Sequence, residues 1–263
     1  MSVMSTQVAP LPVPSVGWWD LLAAEALKLR RSLTWVFVLL LPLLTVITGT
    51  VNYVGNQGAL SAGWRSLTSQ VTLFYALFFF SVAVALIVSA AWRPEHRGTS
   101  WNAMTTMPAS MVRVVAAKTL VVMVPVAVMQ VVLVVLTWGS GALVLGLPGG
   151  FPAGLLVSSG VTVIAALPLV AVQSLLAMHL RSFGASVALG LAGTMVGLGV
   201  ARESGLLSQV WPYSLVTRAQ ILGSDAMANA GGLDWAGLEP VLAASLVSGL
   251  VCWGLLLLAA RRR

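Results

Sequence analysis

Six apolar stretches dominate this sequence, and each is long enough to cross a lipid bilayer. They cover residues 33–51, 71–91, 114–137, 155–178, 183–201 and 241–260. About 20 residues at a rise of about 1.5 Å match a hydrocarbon core about 30 Å thick. Lys118, near the start of the third stretch, is the one charged residue within them. The pattern predicts an all-α, polytopic membrane protein with six transmembrane helices.

The composition excludes a water-soluble fold. Only 8% of the residues are charged, whereas a soluble domain carries about 25%. We predict a single membrane domain over residues 17–263. The preceding residues 1–16, rich in Ser, Pro and Val, are expected to be a disordered tail.

The net charge of +7 reflects where the cations lie along the chain. One set of loops and both ends of the chain contain most of them: Lys28, Arg30, Arg31, Arg93, Arg97, Arg113, Lys118, Arg181, Arg261, Arg262 and Arg263. The opposite loops contain Arg65, Arg202 and Arg218. The positive-inside rule then predicts that both termini are cytoplasmic, with the cations as topological anchors. We see no basic patch with base-stacking aromatics, so nucleic acid is not an expected partner.

Residues 17–31 are predicted to form an amphipathic helix in the cytoplasmic membrane interface. Trp18, Trp19 and Leu29 share one face with other apolar residues, as is typical of a helix lying at headgroup level. Glu25 borders this face and can pair with Lys28 three residues later.

The longest internal loop, residues 92–113, has the pattern of a short helix of its own. Thr99 or Ser100 can cap a helix that runs to Met107, and Pro108 ends it. Ser110 can cap the third span. A connector between two spans needs only a few residues, so this loop is expected to dock a partner, with Glu95, Arg97 and Trp101 as first contacts.

Two further segments suggest close packing and an outer cover. Gly193 and Gly197 are four residues apart in the fifth stretch, which favours helix–helix contact in lipid, either within one subunit or between subunits. Residues 202–239 contain Trp211, Pro212 and Tyr213. They are expected to form short helices over the outer mouth, with both aromatics at the interface.

The sequence lacks the signatures of chemistry in the chain itself. Lys118-Thr119 is not preceded by the glycines of a phosphate-binding loop. The spans contain no carboxylate, and His96 and His179 lie too far apart in sequence to suggest a pair. No metal site is expected, and the lone Cys252 is interpreted as a small core residue. An apolar bundle without an energy source indicates a separate energising subunit at the cytoplasmic face.

Several of these features together resemble the permease subunit of type-two ABC exporters. They are E-x-x-K with basic residues before a proline-containing first span, E-x-x-G-T-x-W after the second span, a later P-x-S with Lys118, and an aromatic-proline segment before the last span. The residues that match are Glu25, Lys28, Arg30, Arg31, Pro42, Glu95, Gly98, Thr99, Trp101, Pro108, Ser110, Lys118, Trp211, Pro212 and Tyr213. Within the family, the chain looks closest to small bacterial permeases for lantibiotic immunity and for peptide or drug export.

The resemblance implies two permeases, identical or paralogous, and two cytoplasmic ATPase subunits that bind the ATP and Mg²⁺. This chain would then bind no cofactor and would not itself be an enzyme. The residues implied in ATPase coupling are Glu25, Lys28, Glu95, Arg97, Thr99, Trp101 and Arg181. Spans one and five, with Gly193 and Gly197, would form the permease dimer interface, and Trp211, Pro212 and Tyr213 the external gate.

The expected function is therefore ATP-driven export of an amphipathic peptide antibiotic or drug across the bacterial cytoplasmic membrane. Two alternatives from other classes stay open. One is a polytopic intramembrane enzyme, which would turn over a lipid or peptide without a partner. The other is a scaffold subunit, which would move no substrate even with an ATPase present.

Overall fold

The computed structural model describes residues 16–98, 101, 104, 106, 108–150, 152–201, 203, 205–226 and 231–262. Throughout these residues the regular structure is helical, without a strand. This confirms the predicted all-α class. The tail at residues 1–15 and Thr99 lie outside the described residues, so the predictions made for them stay predictions.

Ten α-helices follow one another in the described chain, and we number them in that order. They are α1 Trp18–Arg30, α2 Thr34–Gly55, α3 Trp64–Phe74, α4 Phe80–Trp92, α5 Met111–Gly139, α6 Ala153–His179, α7 Phe183–Val200, α8 Leu206–Val210, α9 Pro212–Gln220 and α10 Trp235–Arg261. A π-helical turn, Tyr75–Phe79, joins α3 to α4, and the 3₁₀ turn Arg93–His96 follows α4. A second π-helical turn, Ser140–Val144, extends α5. The described residues 101, 104 and 106 are also helical, as expected for the internal loop.

Six of these helical segments are long and apolar enough to cross a membrane, which confirms the predicted number of spans. They are Thr34–Gly55, Trp64–His96, Met111–Val144, Ala153–His179, Phe183–Val200 and Trp235–Arg261. Five of them extend beyond the predicted apolar stretch. Residues 52–70 lie between the first two apolar stretches, and helix extends into them from both ends, because α2 continues to Gly55 and α3 begins at Trp64. A hydropathy pattern detects apolar residues, so it does not predict helical turns that continue with polar residues beyond the hydrocarbon core.

The helix ends follow local capping chemistry. Ser110 accepts a hydrogen bond from the backbone N–H of Arg113 and so caps α5, as predicted. Ser182 caps α7 in the same way, at the amide of Ala185. Only residues 180–182 separate α6 from α7, and the two helices pack against each other. Spans four and five are therefore antiparallel neighbours.

The fourth span, α6, is the centre of the bundle. It packs against α4, α5, α7, α9 and α10, whereas α1 packs against α5. The first span, α2, contacts α3, α4 and α5 from one edge. At Gly49 this contact is very close, since an added Cβ would lie 2.6 Å from the Cα of Val71. Across the bundle, α7 packs against α4, α6 and α9. The side of α7 that faces away from these helices is open to lipid or to a partner.

Candidate functional site

Four oppositely charged side chains meet at the end of the bundle that carries α1. Lys118 Nζ lies 2.5 Å from Glu25 Oε2 and 2.9 Å from Glu95 Oε1. Lys28 Nζ lies 2.7 Å from Glu25 Oε1 and 2.9 Å from the same Glu95 oxygen. We call these four residues the ion-pair cluster. It joins three separate elements: α1, the turn after the second span, and the first turns of α5.

Three members of the cluster are removed from solvent. The side chains of Lys118, Glu25 and Glu95 are 2%, 6% and 4% exposed, while that of Lys28 is 41% exposed. Two carboxylates and two ammonium groups give no formal net charge, which is the condition under which buried charges are tolerated. Removal of any one buried member would leave an uncompensated charge.

Lys118 has two further contacts that hold its ammonium in place. Nζ donates to the carbonyl oxygen of Ala91 at 3.3 Å, one of the carbonyls near the end of the second span that the helix itself leaves without partners. It also lies 5.5 Å from the ring centroid of Trp92, within cation–π range. The third span is thus tied to the second by a charge, a hydrogen bond and an aromatic ring.

The environment of Lys28 favours its charged form. Burial by itself lowers the pKa of Lys28, but hydrogen bonds and negative charge from Glu25 and Glu95 outweigh that effect and raise the pKa above its ordinary value. Lys28 is therefore an ammonium throughout the physiological pH range. It forms the partly exposed side of the ion-pair cluster.

A chain of aromatic contacts leads from the cluster into the internal loop. The rings of Trp92 and Trp101 stack with centroids 6.3 Å apart. Trp101 donates its indole N–H to Nδ1 of His96 at 3.2 Å. His96 Nε2 lies 2.6 Å from the carbonyl oxygen of Ala177, so this nitrogen carries the proton and donates. The helical part of the internal loop, which contains Trp101, is therefore linked through the neutral His96 to the fourth span. We call this part the loop helix.

His96 and His179 line one cavity, which overturns the sequence-based expectation that they have no relation. The cavity has a volume of about 270 Å³ and is lined by His96, Trp101, His179 and Arg181. The second and fourth spans end at His96 and His179, and these ends lie side by side in the fold. We call this the histidine cavity. Sequence separation concealed it because the two spans meet only after folding.

At the other end of the bundle, α9 packs into the protein rather than covering it. Tyr213 is 3% exposed, so its side chain packs inside the protein, while its expected level at the membrane interface stays a prediction. An added Cβ at Gly193 would lie 2.5 Å from Cε2 of the Tyr213 ring, and one at Gly197 would lie 2.6 Å from its Cβ. The lack of side chains at Gly193 and Gly197 therefore leaves room for Tyr213 of the same chain. This is the within-subunit alternative for these two positions.

The phenol of Tyr213 belongs to a buried hydrogen-bond network. Its O–H donates to Oε1 of Gln173 at 3.3 Å, and burial raises the pKa of Tyr213 to about 12, so the proton is retained. The Gln173 amide donates to the backbone oxygen of Ser186 at 2.9 Å and to its hydroxyl at 3.1 Å. Ser89 donates to the same hydroxyl at 2.9 Å. The network joins α9 to the second, fourth and fifth spans.

Comparison with known protein families identifies the kind of protein. The model described as ABC-2 family transporter protein matches residues 21–197. The chain belongs to the ABC-2 transporter family. No curated protein matches it significantly. The chain is accordingly a multi-pass membrane permease of an ABC transporter, a family whose permeases associate with ATPase subunits.

The residues matched by the ABC-2 family model include the end of the bundle that carries α1. The ion-pair cluster and the histidine cavity lie wholly within residues 21–197. Helices α8, α9 and α10 lie beyond it. The family match therefore covers the end of the permease at which the predicted coupling residues gather, and it stops before Tyr213.

The structure brings most of the predicted coupling residues of the permease together. Glu25, Lys28 and Glu95 meet in the ion-pair cluster, whereas Trp101 and Arg181 meet at the histidine cavity. Arg97 is exposed on the turn that leads into the loop helix. On α1 the buried residues are Leu21, Glu25 and Leu29, while Trp19 is 79% exposed. The buried side of the helix thus carries Glu25 between two leucines, and the expected position of Trp19 at headgroup level stays a prediction.

The sequence patterns did not reveal the roles of two buried residues of the permease, Lys118 and Gln173. Lys118 was interpreted as a topological anchor, although a charge inside an apolar span requires a partner and is a functional candidate by default. Gln173 was not singled out at all, although a buried amide must also find partners. A search for the partners of Lys118 among the acids near the cytoplasmic ends of the spans would have suggested Glu95. No signal in the sequence pointed from Gln173 to Tyr213.

Proposed function

We propose that this permease is the translocation subunit of an ATP-driven exporter of amphipathic peptide antibiotics or drugs, as in lantibiotic immunity. It works with a second permease, identical or paralogous, and with two cytoplasmic ATPase chains that bind ATP and Mg²⁺. Both termini face the cytoplasm of a bacterial cell, so the ion-pair cluster and the histidine cavity lie on the inner side.

The ion-pair cluster is the observation that carries this proposal. An exporter without its own nucleotide site needs a rigid connection from an ATPase contact to its spans. In the cluster, α1 and the turn after the second span are joined to α5 through Lys118. If α1 or the turn that carries Glu95 moves, its buried carboxylate moves with it. Lys118 and the third span must then follow, because separating buried charges is costly. Glu25, Lys28 and Glu95 would therefore transmit coupling from inside the permease.

The contact with the ATPase itself would use the more exposed residues around this cluster. We assign it to Arg97, Thr99 and Trp101 on the loop and to Arg181 between the fourth and fifth spans. Arg97 and Arg181 are exposed, and Arg is favoured at protein interfaces because it makes bidentate contacts with carboxylates. The two loops border the same cavity, so one ATPase could engage both.

The outer route would be controlled by α9, with Trp211, Pro212 and Tyr213 as the external gate. Trp211 Nε1 donates to the carbonyl oxygen of Gly193 at 3.4 Å, and Tyr213 fills the space beside Gly193 and Gly197. Opening requires α9 to leave this position. The gate would thus be closed in the conformation described here.

The permease dimer interface would run along the edge helices α2 and α7. The α7 side opposite Gly193 and Gly197 exposes Leu191 and Met195. A second permease could pack against this apolar side while Tyr213 keeps its place beside the glycines. In this arrangement the glycine pair supports the interface by bringing α9 close to α7.

The proposed function is tested by reconstituting the permease and its ATPase in proteoliposomes with a fluorescent amphipathic peptide. We expect ATP-dependent peptide transport, and peptide-stimulated hydrolysis that falls toward the basal rate in Arg97→Glu and Arg181→Glu. Arg262→Glu is the matched control, since Arg262 is exposed at the end of α10. Transport without ATPase, or no transport with it, would contradict the proposal, and equal hydrolysis in all three variants would remove Arg97 and Arg181 from the contact.

A further inference from the structure

The histidine cavity has the composition of an anion site. Arg181 brings a fixed positive charge to the cavity, and the other described residues that line it are His96, His179 and Trp101. Among the described lining residues there is no carboxylate. Glu95, next to His96 in sequence, is turned toward Lys118 at 2.9 Å. Its negative charge is therefore compensated elsewhere.

The cavity lies at the level where the hydrocarbon ends. The second span ends at His96 and the fourth at His179, and both residues line the cavity. In a bilayer, the lipid phosphates occupy the layer immediately outside the hydrocarbon core. Arg93, whose guanidinium lies 5.8 Å from the ring centroid of Phe183, marks the same level on the second and fifth spans.

Two of the lining residues are committed to the protein and two remain available to a ligand. Both ring nitrogens of His96 have partners in the chain: Nε2 donates to the carbonyl oxygen of Ala177, and Nδ1 accepts from the indole N–H of Trp101. His179 donates from Nδ1 to the carbonyl oxygen of Leu175 at 2.9 Å, which leaves Nε2 for a ligand. In the imidazolium form Nε2 also carries a proton and donates to a phosphate oxygen. Arg181 is exposed and offers a planar guanidinium suited to phosphate. The first pair forms a wall, and the second pair supplies donors.

We propose that the histidine cavity binds the phosphate group of an anionic phospholipid, with Arg181 and His179 as its donors. Basic pockets between transmembrane helices on the cytoplasmic side are typical sites for anionic headgroups. The volume of about 270 Å³ is several times the roughly 30 Å³ that one water molecule occupies, so the cavity has room for a phosphate group. This inference does not depend on transport, since it concerns the permease alone in a membrane. Because Trp101 forms the wall, a bound lipid would also hold the loop helix against the fourth span.

The test measures lipid retention by the full-length permease. Protein from nanodiscs with equal phosphatidylglycerol and phosphatidylcholine is released into detergent, and bound lipid is counted by native mass spectrometry. We expect selective retention of phosphatidylglycerol. Arg181→Gln should weaken it about fivefold, the value of one cation near an anionic surface, and Arg181→Lys should keep most of it. His179→Gln with Arg181→Gln should abolish selectivity, while Arg262→Gln should match wild type.

Each other result overturns the proposal in a different way. Equal retention in wild type and the double variant means that the cavity does not select anionic lipid. Displacement of phosphatidylglycerol by a few millimolar inorganic phosphate would identify a site for free phosphate. If the double variant keeps its lipid but loses affinity for the ATPase, Arg181 serves only the ATPase contact proposed above and the cavity binds no lipid phosphate. Both side chains are exposed, so an unchanged melting temperature should exclude misfolding.

Discussion

Nζ of Lys118 lies 2.5 Å from Oε2 of Glu25, although 93 residues separate the two in sequence. One is in the third span and the other in a helix that precedes the first span. Both are buried, and Glu95 and Lys28 complete a neutral group around them. The pair fixes the N-terminal helix to the transmembrane bundle. It also gives the permease a testable mechanical connection.

Lys118→Met should be strongly destabilising. It removes an ammonium and leaves Glu25 and Glu95, both buried, with Lys28 as their remaining cation. Breaking a buried ion pair on one side costs about 3–5 kcal/mol. The measurement is the free energy of unfolding during SDS titration in mixed micelles. Arg113→Gln, on the same helix outside the cluster, should stay within about 0.5 kcal/mol of wild type.

A second variant distinguishes loss of charge balance from loss of packing. Glu25→Gln combined with Lys118→Met removes one charge of each sign. The double variant should be more stable than Lys118→Met alone, since neighbouring charges couple. If the double variant loses the sum of both single effects, the two residues do not interact as the structure indicates.

Glu95→Gln should impair coupling more than it impairs assembly. The amide keeps the shape of the side chain but removes the negative charge shared by Lys28 and Lys118. We expect normal membrane insertion and a reduced ratio of peptide-stimulated to basal ATP hydrolysis in proteoliposomes. Glu239→Gln, at an exposed position of α10, is the control. An unchanged ratio would limit Glu95 to a structural role.

Gly193→Ala and Gly199→Ala should have opposite effects although they lie on one helix. A Cβ at Gly193 would lie 2.5 Å from the Tyr213 ring, whereas one at Gly199 meets nothing within 4 Å. Gly193→Ala should displace Tyr213 and lower the melting temperature. Gly199→Ala should leave it unchanged or raise it, because alanine favours a helix by roughly 0.5–1 kcal/mol. Melting in detergent by tryptophan fluorescence compares the two, and equal values would contradict the close contact.

Tyr213→Phe should weaken the closed position of α9 without creating a cavity. The variant keeps the ring beside Gly193 and loses only the hydrogen bond to Gln173. A buried hydrogen bond contributes about 1 kcal/mol net. We expect a cysteine introduced at Leu207, exposed on α8, to keep its labelling rate, and one at Ser214, buried on α9, to react faster with a membrane-impermeant maleimide. An unchanged rate at Ser214 would show that the phenol does not hold α9.

The contribution of Lys28 to stability should vanish only at high pH. Its folded-state pKa is raised above the ordinary value of 10.5 by Glu25 and Glu95, against the opposing effect of burial. A raised pKa stabilises the folded state below the unfolded value, and the effect is lost as pH rises through the folded value. The difference in melting temperature between wild type and Lys28→Gln should therefore be constant from about pH 6 to 9 and shrink above pH 10.5. A difference that shrinks already near neutral pH would contradict the ion pairs.

Hydropathy and capping patterns predicted the spans and several helix ends because both are local. A span is predicted from about 20 consecutive apolar residues. Ser110 caps α5 through an amide three residues away. The predicted site was correct in part for the same reason, since Glu25 and Lys28 lie on adjacent turns of one helix. Their buried partners belong to other elements, so the pattern placed these charges at a surface.

The amino-acid sequence by itself determined that this protein is a six-span helical membrane protein with a charged N-terminal helix and a helical internal loop. Apolar length, caps and basic flanks act over a few residues and need no other part of the chain. Only the tertiary structure decided that Lys118 neutralises Glu25 and Glu95, that His96 and His179 share a cavity, and that Tyr213 packs beside Gly193. Each of these contacts joins elements far apart in sequence. Buried charges and amides must find partners wherever the packed helices bring them.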